Sequence, residues 1–333
     1  MQIVLTGAAF LVAAACAGLM GFAIQRGATC TVAAVDEVVR RGAFRRLAAV
    51  VEASVWVVGG LAIAQTLRVL PAMPAGTAVT AATVIGGALL GLGAYVNGAC
   101  VFGAIARLGS GEWAYAATPL GFYAGCVAFA NALPKAGAHV LPHPSPVLAA
   151  APGVAALFVA FAALRLGRAF AGAGDAGPSG GRVRTALADL WSPHAATAVI
   201  GVTFVVLLLL VGGAWAYTDV LAELARGVAA NVFARAALLI ALFTGALAGG
   251  WTAGRLRSTA ISFAQLARCV TGGALMGWGS LWIPGSNDGL VLVGMPLLRP
   301  SAWVAFATMC VAIGAAMRVR DSLAPRRERA AAS

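Results

Sequence analysis

The stretch Gly86-Gly87-Ala88-Leu89-Leu90-Gly91-Leu92-Gly93 occurs a second time as Gly272-Gly273-Ala274-Leu275-Met276-Gly277-Trp278-Gly279, and the interval from Gly86 to Gly272 decides how the chain is organised. Carried on without a gap to Gly103 and Gly289, the two stretches share seven identities, and Cys100 falls opposite Ser286. The same interval relates Gly59 to Gly245, Glu37 to Glu223 and Arg40 to Arg226, matches that carry little weight singly in a chain with 42 glycines. Self-similarity at a fixed interval marks a duplicated architecture. Glycines 86, 87, 91 and 93 also follow small-xxx-small spacing, which lets two helices in lipid approach closely.

Composition identifies the solvent. Of 333 residues, 61% are hydrophobic and 10% charged, and the mean hydropathy is +0.91. Soluble domains carry about a quarter charged residues and disordered chains are polar, so both classes are excluded. Glycine without a Gly-X-Y period excludes collagen. Nine apolar stretches approach the ~20 residues that cross a bilayer: 4–24, 47–67, 77–95, 113–131, 147–166, 195–216, 231–252, 262–282 and 300–318. The predicted fold class is an all-α polytopic membrane protein of about nine transmembrane helices. Met1-Gln2-Ile3-Val4 has no basic n-region, so the first stretch reads as a retained helix and not a cleaved signal.

The formal charge is +12, from 23 basic against 11 acidic residues. Eighteen of the 23 fall after spans one, three, five and seven or in the C-terminal tail, leaving Arg68, Lys135, Arg226, Arg235 and Arg299 on the other side. Basic loops favour the cytoplasm, so the N-terminus is expected outside and the C-terminus inside. Topology thereby absorbs the basic excess, and no nucleic-acid partner is needed. The six cysteines form no CxxC pair and suggest neither a zinc site nor a disulfide framework. His139, His143 and His194 read as loop residues without ligand spacing. Gly109-Ser110-Gly111 lacks the lysine of a phosphate loop, and no serine hydrolase frame is visible. No metal, cofactor, ATP or enzymatic activity is implied.

The interval pairs spans one to four with spans six to nine and leaves the fifth as connector. Paired spans then run in opposite directions, the inverted-repeat plan of secondary transporters, with sites near the midplane on broken helices. The first half is expected over 1–146, with hairpins near 25–42 and 97–109. A connecting span and flexible cytoplasmic linker follow over 147–194. The second half covers 195–318, with a hairpin near 283–295, and 319–333 is a basic cytoplasmic tail.

Three stretches break the apolar rhythm: Gly21 to Cys30, Gly91 to Gly103, and Ile283-Pro284-Gly285-Ser286-Asn287-Asp288-Gly289. Each leads into a segment too short to cross, 31–42, 101–109 or 287–295. Irregular backbone at membrane depth survives only when buried or lining a wet cavity, so re-entrant hairpins are the natural construction. Helix N-termini there would offer free N–H groups and a positive dipole end to an anion, and a thiol at such a terminus becomes a better donor. The plain alternative is that these are interspan turns with small buried residues. Cys16, Cys126, Cys269 and Cys310, with ordinary mid-span neighbours, read as packing. Glu52, inside span two, is either functional, as intramembrane carboxylates tend to be, or drawn out toward the basic loop. Asn287 and Asp288 read as a polar gate or as helix caps.

Gln25-Arg26-Gly27-Ala28-Thr29-Cys30, the run Gly91 to Cys100, and Gly272 to Gly289 resemble the signatures of the YeeE/YedE family. The resemblance implies a bacterial inner-membrane protein that takes up thiosulfate or a related sulfur anion past cysteines lining an hourglass-shaped path. Cys30 would be the cytoplasmic-side cysteine and Cys100 the central one. The third, periplasmic-side cysteine of the family falls on Ser286, whose hydroxyl donates to an oxygen but lacks the softer sulfur contact. The expected path comprises Cys30, Cys100, Ser286, Asn97, Gly98, Gly285, Asn287, Gln25 and Arg26. Expected partners are the sulfur anion, membrane lipid, and a separate TusA-like sulfur carrier or sulfur-oxidation regulator. A membrane sensor for the anion, or a sulfur-transfer protein with Cys30 or Cys100 as persulfide carrier, are the alternatives.

Overall fold

The computed structural model describes residues 7–129, 140–141, 144–171, 191–228, 231–283 and 285–323, and these residues are almost wholly helical. The linker core, the tail end, Pro284, His139 and His143 therefore lie outside the described residues. A long helix α1 (Gly7–Gly27) is followed by a short α2 (Thr31–Arg41), then by long α3 (Arg45–Thr66) and α4 (Ala81–Asn97) and short α5 (Val101–Gly109). A single 3₁₀ turn, Trp113–Ala116, leads into α6 (Ala117–Phe129), and α7 (Pro146–Ala149) and α8 (Ala151–Ala171) form the connector. The order long, short, long, long, short then recurs. The helices are α9 (Pro193–Val211), α10 (Tyr217–Ala225), α11 (Val232–Thr252), α12 (Phe263–Trp282) and α13 (Asn287–Gly289), which continues as a π turn over Leu290–Gly294. Helix α14 (Pro300–Leu323) closes the bundle. The starts of α1, α2 and α5 map onto those of α9, α10 and α13 at the interval that relates Gly86 to Gly272.

Among the described residues, six helical stretches are long and apolar enough to cross a membrane: Gly7–Arg41, Arg45–Thr66, Ala81–Gly109, Pro193–Val211, Val232–Thr252 and Pro300–Leu323. The three further spans expected from sequence coincide with α6, α8 and α12. Helix ends follow local chemistry. Thr80 and Thr83 form a capping box at α4. Ser192 and Ser262 accept N–H groups at the starts of α9 and α12. Gly98, at φ 77°, closes α4 in the left-handed conformation that glycine adopts without strain.

Helix α1 packs on α9 and α11, α4 on α12 and α14, and α12 also on α6. The repeated glycines make the α4–α12 crossing. A Cβ on Gly86 would stand 2.9 Å from the carbonyl oxygen of Gly279, and one on Gly93 would stand 2.7 Å from that of Gly272. Gly86 corresponds to Gly272, and Gly93 to Gly279, so the crossing reproduces itself when the two helices are exchanged.

Glu52 is neither in a pathway nor drawn out to water. Its carboxylate accepts from Arg165 at 2.7 Å, contacts His194 Nδ1, and takes a longer bond from Trp56 Nε1 at 3.4 Å. His194 thus sits in the first turn of α9 and not in a loop, and one carboxylate ties α3 to the connector α8 and to α9. Glu52→Ala leaves Arg165 and His194 without their shared carboxylate. Because Arg165 and His194 are partly exposed, the expected loss is only about 1–2 kcal/mol, read as a drop of about 2–4 °C in the melting midpoint in detergent.

Candidate functional site

Three expected hairpins and a fourth converge at the centre of the bundle. Cys30 is the N-cap of α2, Cys100 the N-cap of α5 and Ser286 the N-cap of α13. All three are extended in the backbone, and none spends its side chain on capping. Each is preceded by a residue at positive φ: Gly98 at 77° and Gly285 at 104°, where glycine meets no steric cost, and Ala28 at 46°, where the β-carbon makes the turn strained.

Cys100 is fully buried, and its Sγ accepts the Thr31 N–H at 3.1 Å, so the first turn of α2 rests on the start of α5. The Cys30 and Cys100 thiols lie side by side. A Cβ on Gly103 would fall 2.4 Å from Cys30 Sγ, so glycine at that position makes room for the sulfur. Asn287 Nδ2 donates to Thr31 Oγ1 at 3.3 Å, which brings the Ser286 hairpin against the other two. Ser286 Oγ is buried and has no hydrogen-bond partner among the described residues. A buried hydroxyl left in that condition is costly in a finished core, and a ligand oxygen would satisfy it.

The remaining expected residues divide. Gln25 and Gly98 line the large cavity described below. Gly285 lines the small one. Asn97 is committed to its own hairpin. Its amide donates to the Ala99 carbonyl at 2.7 Å and accepts from Thr118 Oγ1 at 2.9 Å, while its backbone oxygen takes the Tyr115 hydroxyl at 3.2 Å. Arg26 is buried under the Phe22 ring and donates to Thr252 Oγ1 at 2.7 Å, so it faces α11. Asp288 caps a neighbouring helix, accepting from the Thr218 N–H and hydroxyl at the start of α10.

That α10 hairpin, over Gly212 to Tyr217, is not among the three expected from sequence. It contributes buried Trp215, Tyr217, whose hydroxyl donates to the Val101 carbonyl at 3.3 Å, and Asp219. The repeat held the signal: Ala216, the N-cap of α10, is the counterpart of Cys30 at the interval that relates Gly86 to Gly272.

Two cavities flank the convergence. The large one, about 880 Å³, reaches Cys30 and is lined by Arg40, Arg46, Arg107, Arg255, Arg268 and Arg320, with Asp36 the one acid among its lining residues. Arg40 is paired to Asp36 at 2.7 Å and Arg107 to Glu112 at 3.1 Å, yet the surplus of positive charge stands. Cations lining a low-dielectric recess concentrate anions. The small cavity, about 140 Å³, is lined by Ala214, Asp219, Gly285, Gly289, Val293 and Arg299 among others. Four of its positions, Ala214, Asp219, Gly289 and Val293, are the repeat counterparts of Ala28, Ala33, Gly103 and Arg107 in the large one. Between the cavities, Cys100 and Ser286 are sealed by packing.

A protein-family model described as sulphur transport matches residues 26–316. No match is found among curated proteins.

Proposed function

The chain belongs to the YeeE/YedE sulphur transport family, and from that premise we propose that it imports a small sulfur-containing anion, thiosulfate foremost, along a path past Ser286, Cys100 and Cys30. The observation that carries this reading is the meeting, between two cavities, of three N-cap side chains that do not cap their own helices. An anion needs donors that water would otherwise supply, and helix N-termini with S–H and O–H groups provide them where water is excluded. No covalent chemistry is required of either cysteine.

The two halves, in this reading, form an inverted repeat in a nine-span bundle of the bacterial inner membrane. The self-reproducing α4–α12 crossing, the recurrence of helix starts and the paired cavity positions all support it. The arginine-rich large cavity is the cytoplasmic mouth, in keeping with the preference of basic residues for that side. The small cavity is the periplasmic one. Asn97 acts as a positioning residue for the Cys100 hairpin, Asn287 for its junction with α2, and Arg26 braces α1 against α11. A TusA-like carrier or a sulfur-oxidation regulator would meet the protein at the large mouth.

Flux into liposomes holding the purified chain, with thiosulfate, sulfite and sulfate compared side by side, tests the function. Saturable thiosulfate flux is the expected result. Binding without flux would replace transport with sensing, and neither binding nor flux would sink both. Ser286→Cys supplies a softer contact at the periplasmic end. It is expected to raise the preference for thiosulfate over sulfate by about 2–10-fold, the range a single modest hydrogen bond spans. Competition between the two anions in the same liposomes reads that ratio.

A further inference from the structure

The small cavity is the counterpart of the large one, yet two of the paired positions break the correspondence in charge: Arg107 in the large cavity becomes Val293, and Ala33 becomes Asp219, the one change that introduces an acid. A carboxylate at the mouth of an anion path needs a physical account. Asp219 projects from the first turn of α10 against the Ser286 hairpin. A Cβ on Gly285 would stand 3.8 Å from its Oδ1, and one on Gly289 would stand 3.7 Å from both its carboxylate oxygens. Ser286, with its buried, unpartnered hydroxyl, lies between those two glycines in the chain. Any anion reaching Ser286 from the small cavity comes within reach of Asp219.

The neighbouring carboxylate is different. Asp288 is supplied with donors at both oxygens by the Thr218 N–H and hydroxyl and by the Gly289 N–H at 3.1 Å. Asp219 has no comparable set of donors among the described residues. The charges around it are Asp288 on the facing hairpin, Glu223 and Arg226 on its own helix, Arg235 on α11, and Arg299 across the cavity. Glu223 is paired with Arg235, and the Arg226 Nε donates to the Ala222 carbonyl. Two carboxylates that share one site are most easily accommodated when one of them carries a proton, and the donors around Asp288 leave that part to Asp219.

We propose that Asp219 is a proton-binding residue of the transport cycle, neutral while the anion occupies the small cavity and Ser286 site. An ionised Asp219 a few ångströms from the anion would lower its occupancy by about a hundredfold or more at the effective dielectric of partly buried sites. Protonation removes that repulsion, leaves Arg299 to attract, and converts the carboxylate from an acceptor into a donor. The anion therefore binds together with a proton. By linkage, affinity is constant while Asp219 is already neutral in the empty protein, and falls as pH rises through its ionisation, by up to about tenfold per pH unit.

This inference rests on the proposed function and is tested on the full chain in detergent. Thiosulfate binding is measured by calorimetry in two buffers of different ionisation heat, from about pH 5 to about pH 9. Proton uptake should climb toward one per anion at the alkaline end. Asp219→Asn, nearly isosteric and permanently neutral, should bind at all pH values with no uptake, and Asp219→Glu should restore it. Binding by the wild-type protein without proton uptake anywhere in the range overturns the proposal, as does uptake that persists in Asp219→Asn. The wild-type titration decides the matter even if the asparagine variant fails to fold. Absence of thiosulfate binding at every pH is a different result, since it removes the functional reading itself.

Discussion

Cys100→Ala is expected to lower thiosulfate uptake by about 10–100-fold while the yield of folded protein stays within a factor of about two. Hydrogen bonds to charged groups contribute about 1.5–3 kcal/mol, and each 1.4 kcal/mol is a factor of about ten. Cys100 is fully buried, with its sulfur beside Cys30 and accepting the Thr31 N–H. Alanine removes the donor that an anion meets there and leaves the Thr31 N–H without its acceptor. Cys100→Ser keeps a donor and an acceptor at the same atom position and should retain flux within about tenfold of wild type. Uptake in cells lacking other thiosulfate importers, with gel-filtration profiles of each variant, reads both. Wild-type uptake by the alanine variant would remove Cys100 from the path. A serine variant as inactive as alanine would mean that sulfur itself is needed, and would move the reading toward persulfide transfer.

Gly250→Val is the second large effect, and it acts on the fold. A Cβ at Gly250 would stand 1.8 Å from the carbonyl oxygen of Gly109 and 2.8 Å from its carbonyl carbon. Both atoms are backbone, so no rotamer change relieves the clash, and α11 must move away from the end of α5. Overpacking costs about 1–3 kcal/mol even where side chains give way; here about 3 kcal/mol or more is expected. That corresponds to a fall of about 4–6 °C or more in the detergent melting midpoint, or to loss of folded protein. Gly153→Ala is the control. Nothing lies within 4 Å of a Cβ there, and in α8 the change should be within about 1 kcal/mol of neutral. Equal melting of the two variants would show that the α5–α11 approach does not hold the bundle together.

Much of this arrangement is readable from residue order. The N-cap positions of Cys30, Cys100 and Ser286 follow from glycine-rich breaks in otherwise unbroken apolar runs, and α2, α5 and α13 begin where those breaks end. The fourth hairpin escapes because Gly212-Gly213-Ala214-Trp215-Ala216 contains no cysteine, and its tryptophan keeps the local hydropathy high, so the stretch 195–216 looks like one continuous span. Side-chain direction is not readable at all. Whether Gln25 or Arg26 faces the cavity depends on the rotation of α1, which is set by its packing against α9 and α11 in the other half of the chain. Asn97 looks like a donor for the path, yet its amide holds the hairpin closed. The pairing of Glu52 with Arg165 and His194 requires knowing that α3, α8 and α9 share a corner, which no local pattern encodes.

The six arginines around the large cavity bear on energetics across the bilayer. With the cytoplasmic face negative, each negative charge carried inward climbs about 2.3 kcal/mol per 100 mV, so a dianion climbs about twice that. The arginines cannot alter the total, because potential difference depends only on the two bulk phases. They change the profile, placing an electrostatic well just inside the last barrier. On the proposed path, an anion that had passed Cys30 would be held there instead of being driven straight back, which would lengthen the time in which a cytoplasmic acceptor could take it. That well is shallow in strong electrolyte, since the Debye length is about 8 Å at physiological ionic strength. In the proposed orientation, inward flux would be tied to two quantities outside the protein: the salt of the cytoplasm and the rate at which the anion is consumed.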